Sequence, residues 1–451
     1  MRLEALATPT TVSQLTSAIE ASGGIVTALD VNYSDQERVR VDVTCATRNN
    51  EHADEIVESL KKIDGVSVGK VSDRTFLAHL GGKLTVESKL PIRNRDDLSL
   101  IYTPGVARIC EAIVKDPSDA RRLTIKRNTI AVVTDGSAVL GLGNIGPLAA
   151  MPVMEGKAAL FKRFADIDAF PICLDTQDVD EIVRTVKAIA PGFAGINLED
   201  ISAPRCFEVE ERLRAELDIP VFHDDQHGTA IVCVAALRNA LKVVGKKIDE
   251  IHLVMSGAGA AGTAVLKLLM AAGVKHTTIA DQQGVVYAGR PDIQPGTNLE
   301  WVAEHTNPSR KQGTLKEALK GADVFIGVSA GNLIDAHDVS TMAPKSIVFA
   351  LANPNPEIEP SEAAKFASVV ATGRSDFPNQ INNVLAFPGF FRGLLDAGAH
   401  KITEEMLLAA ATALAGCVEA SELNASYIVP SVFHPDLSAR VAEAVRKVAG
   451  K

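Results

Sequence analysis

Ile-His-Leu-Val-Met-Ser-Gly-Ala-Gly-Ala-Ala-Gly, residues 251–262, decides the fold. Residues 251–255 form a mainly apolar run of strand length. Gly257, Gly259 and Gly262 follow with the spacing G-x-G-x-x-G, and residues 263–272 continue as an apolar helical pattern. Strand, glycine turn and helix in that order suit a dinucleotide, because glycines let backbone amides approach a pyrophosphate at the positive end of a helix. Gly257, Gly259, Ala260, Ala261 and Gly262 are the candidate cofactor contacts. Asp281 follows Gly262 by 19 residues and closes the next expected strand, where a carboxylate can bind both ribose hydroxyls and repel a 2'-phosphate. Gln282, Gln283 and Gly284 come next, with no adjacent Arg or Lys, so NAD is expected in preference to NADP. A tight turn that holds no ligand is the plainer alternative, and the flanking strand and helix argue against it.

Further apolar runs at 277–280, 324–327, 347–350 and 368–371 alternate with helical pattern, which predicts a doubly wound, Rossmann-type domain over 223–390. Helical patterns at 403–415 and 436–448 are expected to pack back on it, as a C-terminal segment 391–451. Upstream, 129–134, 169–174, 195–198 and 219–222 read as strands and 179–189 as a helix, a second α/β domain over 83–222. Residues 1–80 read as a small α+β unit: helices at 11–22 and 51–62, strands at 24–32 and 66–71, and Val39, Val41 and Val43 alternating at a strand's period of two. The polar stretch up to Asp97 reads as a connector.

The 451 residues allow about three domains. With 46% hydrophobic but only 4% aromatic residues, the cores must be aliphatic, as in parallel sheets. A net charge of -10 argues against nucleic acid as a partner. The longest uncharged apolar stretch noted, 253–266, is shorter than the roughly 20 residues of a bilayer span, and the N-terminus lacks a secretory signal's apolar core. No membrane association is therefore expected, and six scattered cysteines suit a reducing cytoplasm.

Carboxylates gather where strands end. Glu199 and Asp200 close the 195–198 run, and His223-Asp224-Asp225-Gln226-His227-Gly228 lies between a strand and a helix expected to start after His227. Such oxygens suit Mg2+ or Mn2+. Zinc on His223 and His227 is the rival, but the pair lacks the second-position Glu and the helical setting of HExxH. Helix capping is the plain alternative for Asp224 and Glu199. Tyr102, in a turn before a helix, is an acid candidate. Lys157, opening an apolar helix, is a base candidate because desolvation lowers a lysine pKa.

The segments Tyr-Thr-Pro-Gly-Val-Ala (102–107), Val-Thr-Asp-Gly-Ser-Ala-Val-Leu-Gly-Leu-Gly-Asn-Ile-Gly-Pro (133–147), Glu-Gly-Lys (155–157), Asn-Leu-Glu-Asp-Ile (197–201), His-Asp-Asp-Gln-His-Gly-Thr-Ala (223–230), the glycine turn and Ala-Asn-Pro (352–354) resemble, in order, those of short bacterial-type malic enzymes. The resemblance implies oxidative decarboxylation of (S)-malate to pyruvate and CO2 with NAD(P) and Mg2+ or Mn2+. It further implies Glu199, Asp200 and Asp225 as metal ligands, Lys157 as base, Tyr102 as acid, and Asn353 and Asn383 as contacts to substrate or nicotinamide; Asp224, beside Asp225, is expected to orient Lys157 or to hold it charged.

Two departures stand out. Larger relatives place a substrate-binding arginine where this chain has Ala138, leaving Arg93, Arg95, Arg108 or the metal to face the substrate carboxylate. No phosphotransacetylase-like extension is read, so acetyl-coenzyme A control through one is not expected. Residues 1–80 resemble an ACT domain, a βαββαβ sensor that pairs with its own copies, so a homodimer or higher homo-oligomer is expected, with or without an effector. The competing functions are a NAD-binding regulatory protein, which needs no metal cluster, a simple malate dehydrogenase, which needs no metal, and an oxaloacetate decarboxylase working without NAD.

Overall fold

The computed structural model describes residues 1–139 and 141–450, so Leu140 of the glycine-rich motif and Lys451 of the C-terminal segment lie outside the described residues. The chain forms two compact units, Met1–Lys83 and Leu84–Lys451.

In the first unit, strand Arg2–Leu6, helix Thr11–Ala21, strands Ile25–Ser34 and Arg38–Ala46, helix Asn50–Lys61 and strand Ser67–Val68 follow one another in βαββαβ order. The sheet is antiparallel, with Arg38–Ala46 between Ile25–Ser34 and Arg2–Leu6, and Ser67–Val68 on the outer edge of Arg2–Leu6. Alternation buries Val39, Val41 and Val43 against Leu15, Ile19, Ile56 and Leu60 of the two helices. The strand expected over 66–71 shrinks to the two residues that pair with Leu3 and Glu4, although the Gly69 N–H still donates to Arg2 O and Lys70 O still accepts from the Arg2 N–H.

The second unit holds two sheets. The first is wholly parallel, in the order Asp168–Cys173, Thr129–Thr134, Gly195–Leu198, Val221–His223. Thr129–Thr134 is buried at every position, which is why it reads as an unbroken apolar run rather than an alternating one. Helices Pro147–Ala165, Val179–Ile189 and Arg205–Glu216 connect or flank these strands.

The second sheet runs Gly284–Val285, His276–Asp281, His252–Ser256, Val324–Gly327, Ile347–Ala350, Val369–Thr372. All pairs are parallel except the first. This is the doubly wound order, in which the chain reverses direction of growth between His252–Ser256 and Val324–Gly327 and opens a crevice at their carboxyl ends. The antiparallel Gly284–Val285 was not expected; the chain turns straight back on Ala280 and Asp281 instead of crossing over through a helix.

Helix Thr229–Val244 lies at the centre, with Ile231, Val232, Cys233, Val234, Ala235 and Leu237 fully buried. By length and apolarity residues 224–244 could cross a bilayer, a feature the sequence reading passed over, yet 72% of that window is buried inside the protein. One apolar cluster joins this helix to Ile130 and Phe222 of the first sheet, Leu253, Ile326 and Phe349 of the second, and the C-terminal helices Phe387–Ala397, Glu404–Ala415 and Leu437–Ala449. Helix Arg95–Ile101 begins inside the stretch read as connector, capped by the Asn94 side chain.

Candidate active site

Parallel strands Gly195–Leu198 and Val221–His223 end side by side, and their next residues carry the carboxylates. After the first come Glu199 and Asp200. After the second comes one π-helical turn, Asp224–Gly228, joined directly to helix Thr229–Val244. One carboxylate oxygen each from Glu199, Asp200 and Asp225 lies within 4.8 Å of the others. The Asp200 backbone N–H donates to Asp225 Oδ2 at 3.0 Å, and Asn197 Nδ2 donates to Glu199 Oε2 at 2.9 Å.

Lys157 reaches this group from helix Pro147–Ala165, its Nζ 2.6 Å from Asp224 Oδ2, 3.0 Å from Glu199 Oε1 and 4.2 Å from the centre of the Phe387 ring. Asn383 Nδ2 donates to the same Asp224 oxygen at 3.0 Å, while its Oδ1 accepts from the Thr229 hydroxyl at 3.1 Å. Gly228 leaves room for this arrangement, since a Cβ on it would stand 2.2 Å from Asp224 Oδ1 and displace that carboxylate.

Four carboxylates thus surround one ammonium. Burial pushes the Glu199 carboxyl well above its ordinary value despite Lys157, and Asp224 and Asp225 push it further; burial and Asp225 raise Asp200 to about 8. For Lys157 burial acts downward, but Asp224 and Glu199 outweigh it and hold the ammonium above its ordinary pKa. Desolvation thus pulls Lys157 towards a base, as expected, while Asp224 and Glu199 pull the other way. Crowded carboxyls whose ionisation calls for a countercharge, an all-oxygen donor set and a buried Asp200 Oδ2 without a hydrogen-bond partner among the described residues fit a hard divalent cation.

The histidines do not form a zinc pair. His223 Nδ1 stands 3.7 Å from Asp225 Oδ2, whereas His227 Nε2 lies 2.5 Å from Glu210 Oε1. Glu210 also accepts from Gln226 Nε2 at 3.0 Å. Burial acts to raise the Glu210 carboxyl, but His227, His223 and Arg214 more than reverse it and bring it down to about 2. Sequence reading missed Glu210. Its signal was a carboxylate on the buried stripe of helix Arg205–Glu216, alongside Cys206, Val209 and Leu213.

At the crevice of the second sheet, Gly257 has φ +106° and Gly262 packs so closely that a Cβ would meet Gly257 O at 2.1 Å. Nothing lies within 4 Å of a Cβ position on Gly259, the N-cap of helix Ala260–Ala271, so Gly259, Ala260 and Ala261 present an open helix start. Asp281 ends its strand as expected, but Arg290 grips it: Nη1 donates to Oδ1 at 2.9 Å and Nη2 to Oδ2. The residues directly after Asp281 carry no cation, as read, but one arrives from nine residues on, through the hairpin of Gly284–Val285, and also binds Asp292. Asp281 and Arg290 both line a cleft of about 610 Å³.

Asn353 is exposed on the loop after Ile347–Ala350, next to Pro354, which lies 3.1 Å from a Cβ position on Gly141. The glycine-rich loop of the first sheet thus faces the loop that carries Asn353. Ala138, in that loop, donates its backbone N–H to Asp200 O at 3.0 Å. Tyr102, the C-cap of helix Arg95–Ile101, is 67% exposed, and no hydrogen bond among the described residues ties it, Arg93, Arg95 or Arg108 to the Lys157 cluster.

Residues 81–214 match the malic enzyme N-terminal domain, and residues 226–450 match the malic enzyme NAD binding domain. The chain belongs to the malic enzyme family. It is 56% identical over 437 residues, 97% of this chain and 91% of the relative, to a protein named NAD-dependent malic enzyme from Geobacillus stearothermophilus. It is 56% identical over 369 residues, 82% of this chain and 90% of the relative, to the bifunctional malic/malolactic enzyme of Bacillus subtilis. The crystal structure of the NAD-dependent malic enzyme from Thermotoga maritima is 48% identical with a TM-score of 0.80, covering 83% of this chain and 99% of that one. In this malic enzyme family chain the carboxylate cluster and the dinucleotide crevice both belong to the unit Leu84–Lys451.

Proposed function

We propose that the protein catalyses oxidative decarboxylation of (S)-malate to pyruvate and CO2 with reduction of NAD and a requirement for Mg2+ or Mn2+, and that the same site decarboxylates oxaloacetate. The observation that carries this reading is the buried Lys157 ammonium, 2.6 Å from Asp224 and 3.0 Å from Glu199, beside three converging carboxylates in a malic enzyme family chain. When bound by Glu199, Asp200 and Asp225, a divalent cation supplies Lewis acidity to the substrate oxygen. When bound by Gly257, Gly259, Ala260, Ala261 and Gly262, with Asp281 at the ribose, NAD supplies the hydride acceptor.

The rest falls to the chain's own side chains. In its neutral form Lys157 Nζ takes the malate hydroxyl proton; Asp224 first and Glu199 next favour the ammonium, so neutralising Glu199 loosens only part of that hold. Asp224 and Asn383 aim that Nζ, and Asn353 and Asn383 contact substrate or nicotinamide. Tyr102 Oη returns a proton to the carbon from which CO2 has left.

We further assign 1–80 to an ACT-like domain, 83–222 to the malate and metal domain, 223–390 to the NAD domain and 391–451 to packing helices. The βαββαβ order of the first unit supports the first assignment. Assembly into a homo-oligomer is supported by large apolar side chains left exposed near the start of the second unit, Val86, Leu100, Val114 and Leu148 at 75–89%. Tyr102 lies on the same segment, so its role belongs to the assembled protein. A cytoplasmic setting is supported by six free thiols.

The test is an assay with (S)-malate, Mn2+ and either NAD or NADP that follows reduced nicotinamide and pyruvate together, with a chelator control. Equal amounts of both products with NAD, abolished by chelator, are expected. Reduced cofactor accompanied by oxaloacetate without pyruvate would replace this reading with a simple dehydrogenase.

A further inference from the structure

We propose that Glu210 is a positioning residue for the metal centre: through Gln226 and His227 it holds the turn Asp224–Gly228 in the conformation that carries Asp225 to Glu199 and Asp200, and Asp224 to Lys157. The inference rests on reading Glu199, Asp200 and Asp225 as metal ligands.

Glu210 occupies a place on helix Arg205–Glu216 where the buried stripe calls for an apolar side chain. A carboxylate there is unfavourable unless partnered, and both of its oxygens are. Gln226 Nε2 donates to Oε2 at 3.0 Å, His227 Nε2 lies 2.5 Å from Oε1, and Arg214 Nη1 lies 3.3 Å from Oε1. Two of these three partners are the residues immediately after Asp225.

A single π turn is an uncommon conformation that tends to occur at functional sites. Here it sorts its side chains into two groups. Asp224 and Asp225 turn towards Lys157 and the Asp200 amide, while Gln226 and His227 turn towards Glu210. Without Glu210 the turn is free to tighten into the α-helix that follows it. A change of register by one residue there rotates a side chain by about 100° and takes Asp225 away from its partners.

The experiment measures Mn2+ binding to the full chain by calorimetry and by the Mn2+ spin-resonance signal, without malate or NAD, alongside NADH binding by fluorescence. Variants are Glu210→Ala, Glu210→Gln, Gln226→Leu and Asp225→Asn. We expect Asp225→Asn to lose Mn2+, Glu210→Ala and Gln226→Leu to weaken it about 10- to 100-fold, and Glu210→Gln, which keeps one acceptor oxygen, to recover part. NADH binding should be unchanged throughout. Wild-type Mn2+ affinity in Glu210→Ala and Gln226→Leu, with Asp225→Asn impaired, would overturn the proposal alone. Wild-type affinity in Asp225→Asn would overturn the ligand assignment beneath it. Parallel loss of NADH binding would reduce Glu210 to a general stabiliser, and should Glu210→Ala fail to fold, Gln226→Leu decides.

Discussion

Arg290 takes hold of both Asp281 oxygens, and the charge that Asp281 shows to a cofactor is smaller than its carboxylate alone would give. With Asp281 at the ribose as proposed, selection between NAD and NADP falls to the pair. Removing the acid leaves a buried guanidinium beside the ribose position, and removing the base leaves a bare carboxylate. Asp281→Ser should raise the ratio of kcat/KM with NADP to that with NAD by about tenfold or more, and Arg290→Ala should lower it. Steady-state kinetics with both cofactors checks this, and an unchanged ratio in both variants would remove the pair from cofactor choice. The pair also marks where sequence reading ran out. Asp281 was legible because a fixed distance from the glycine turn places it, whereas Arg290 is brought back by a two-residue antiparallel strand that has no periodicity to read. Glu210 and Asn383 were hidden or half-hidden for a related reason: their partners lie 16 and 159 residues away.

At the level of elements, runs with strong patterning came out at the expected residues. Thr129–Thr134, Val179–Ile189, Gly195–Leu198, Thr229–Val244 and Val324–Gly327 are bounded by capping groups, turns or sheet partners close to where the apolar pattern stops. The turn Asp224–Gly228 was not legible, since a π turn differs from the start of an α-helix only in its hydrogen-bond reach. Helix packing supplies its own test. A Cβ on Gly393, in helix Phe387–Ala397, would sit 2.5 Å from Ala442 O and 2.7 Å from Val445 Cβ of helix Leu437–Ala449. Gly393→Ala should therefore force the two helices apart and destabilise by about 1–3 kcal/mol. Gly192→Ala, with nothing within 4 Å of the added carbon, is the control. Comparable urea midpoints for the two variants would show that the helix pair adapts.

For the whole molecule, the cluster of Glu199, Asp200, Asp224 and Asp225 around Lys157 is a concentration of like charge that folding must tolerate. A cation that binds only the folded form stabilises it by mass action, about 2.7 kcal/mol at a hundred times its dissociation constant. Saturating Mn2+ should thus raise the melting temperature of the wild type and leave that of Asp200→Asn nearly unmoved, as read by calorimetry. Equal rises in both would place the stabilising ion elsewhere.

Helix Thr229–Val244 starts at the carboxylate turn and runs through the apolar cluster that both sheets share. Each sheet has an apolar cluster of its own, around Val133 and Ile196 in the first and Phe325 and Val348 in the second, but the cluster that holds this helix is shared, so opening either sheet strips the same helix of part of its cover. Amide protons along this helix should then exchange only through loss of the entire Leu84–Lys451 unit, at a single slow rate, while those of Arg95–Ile101, a helix with no buried residue, exchange through local opening.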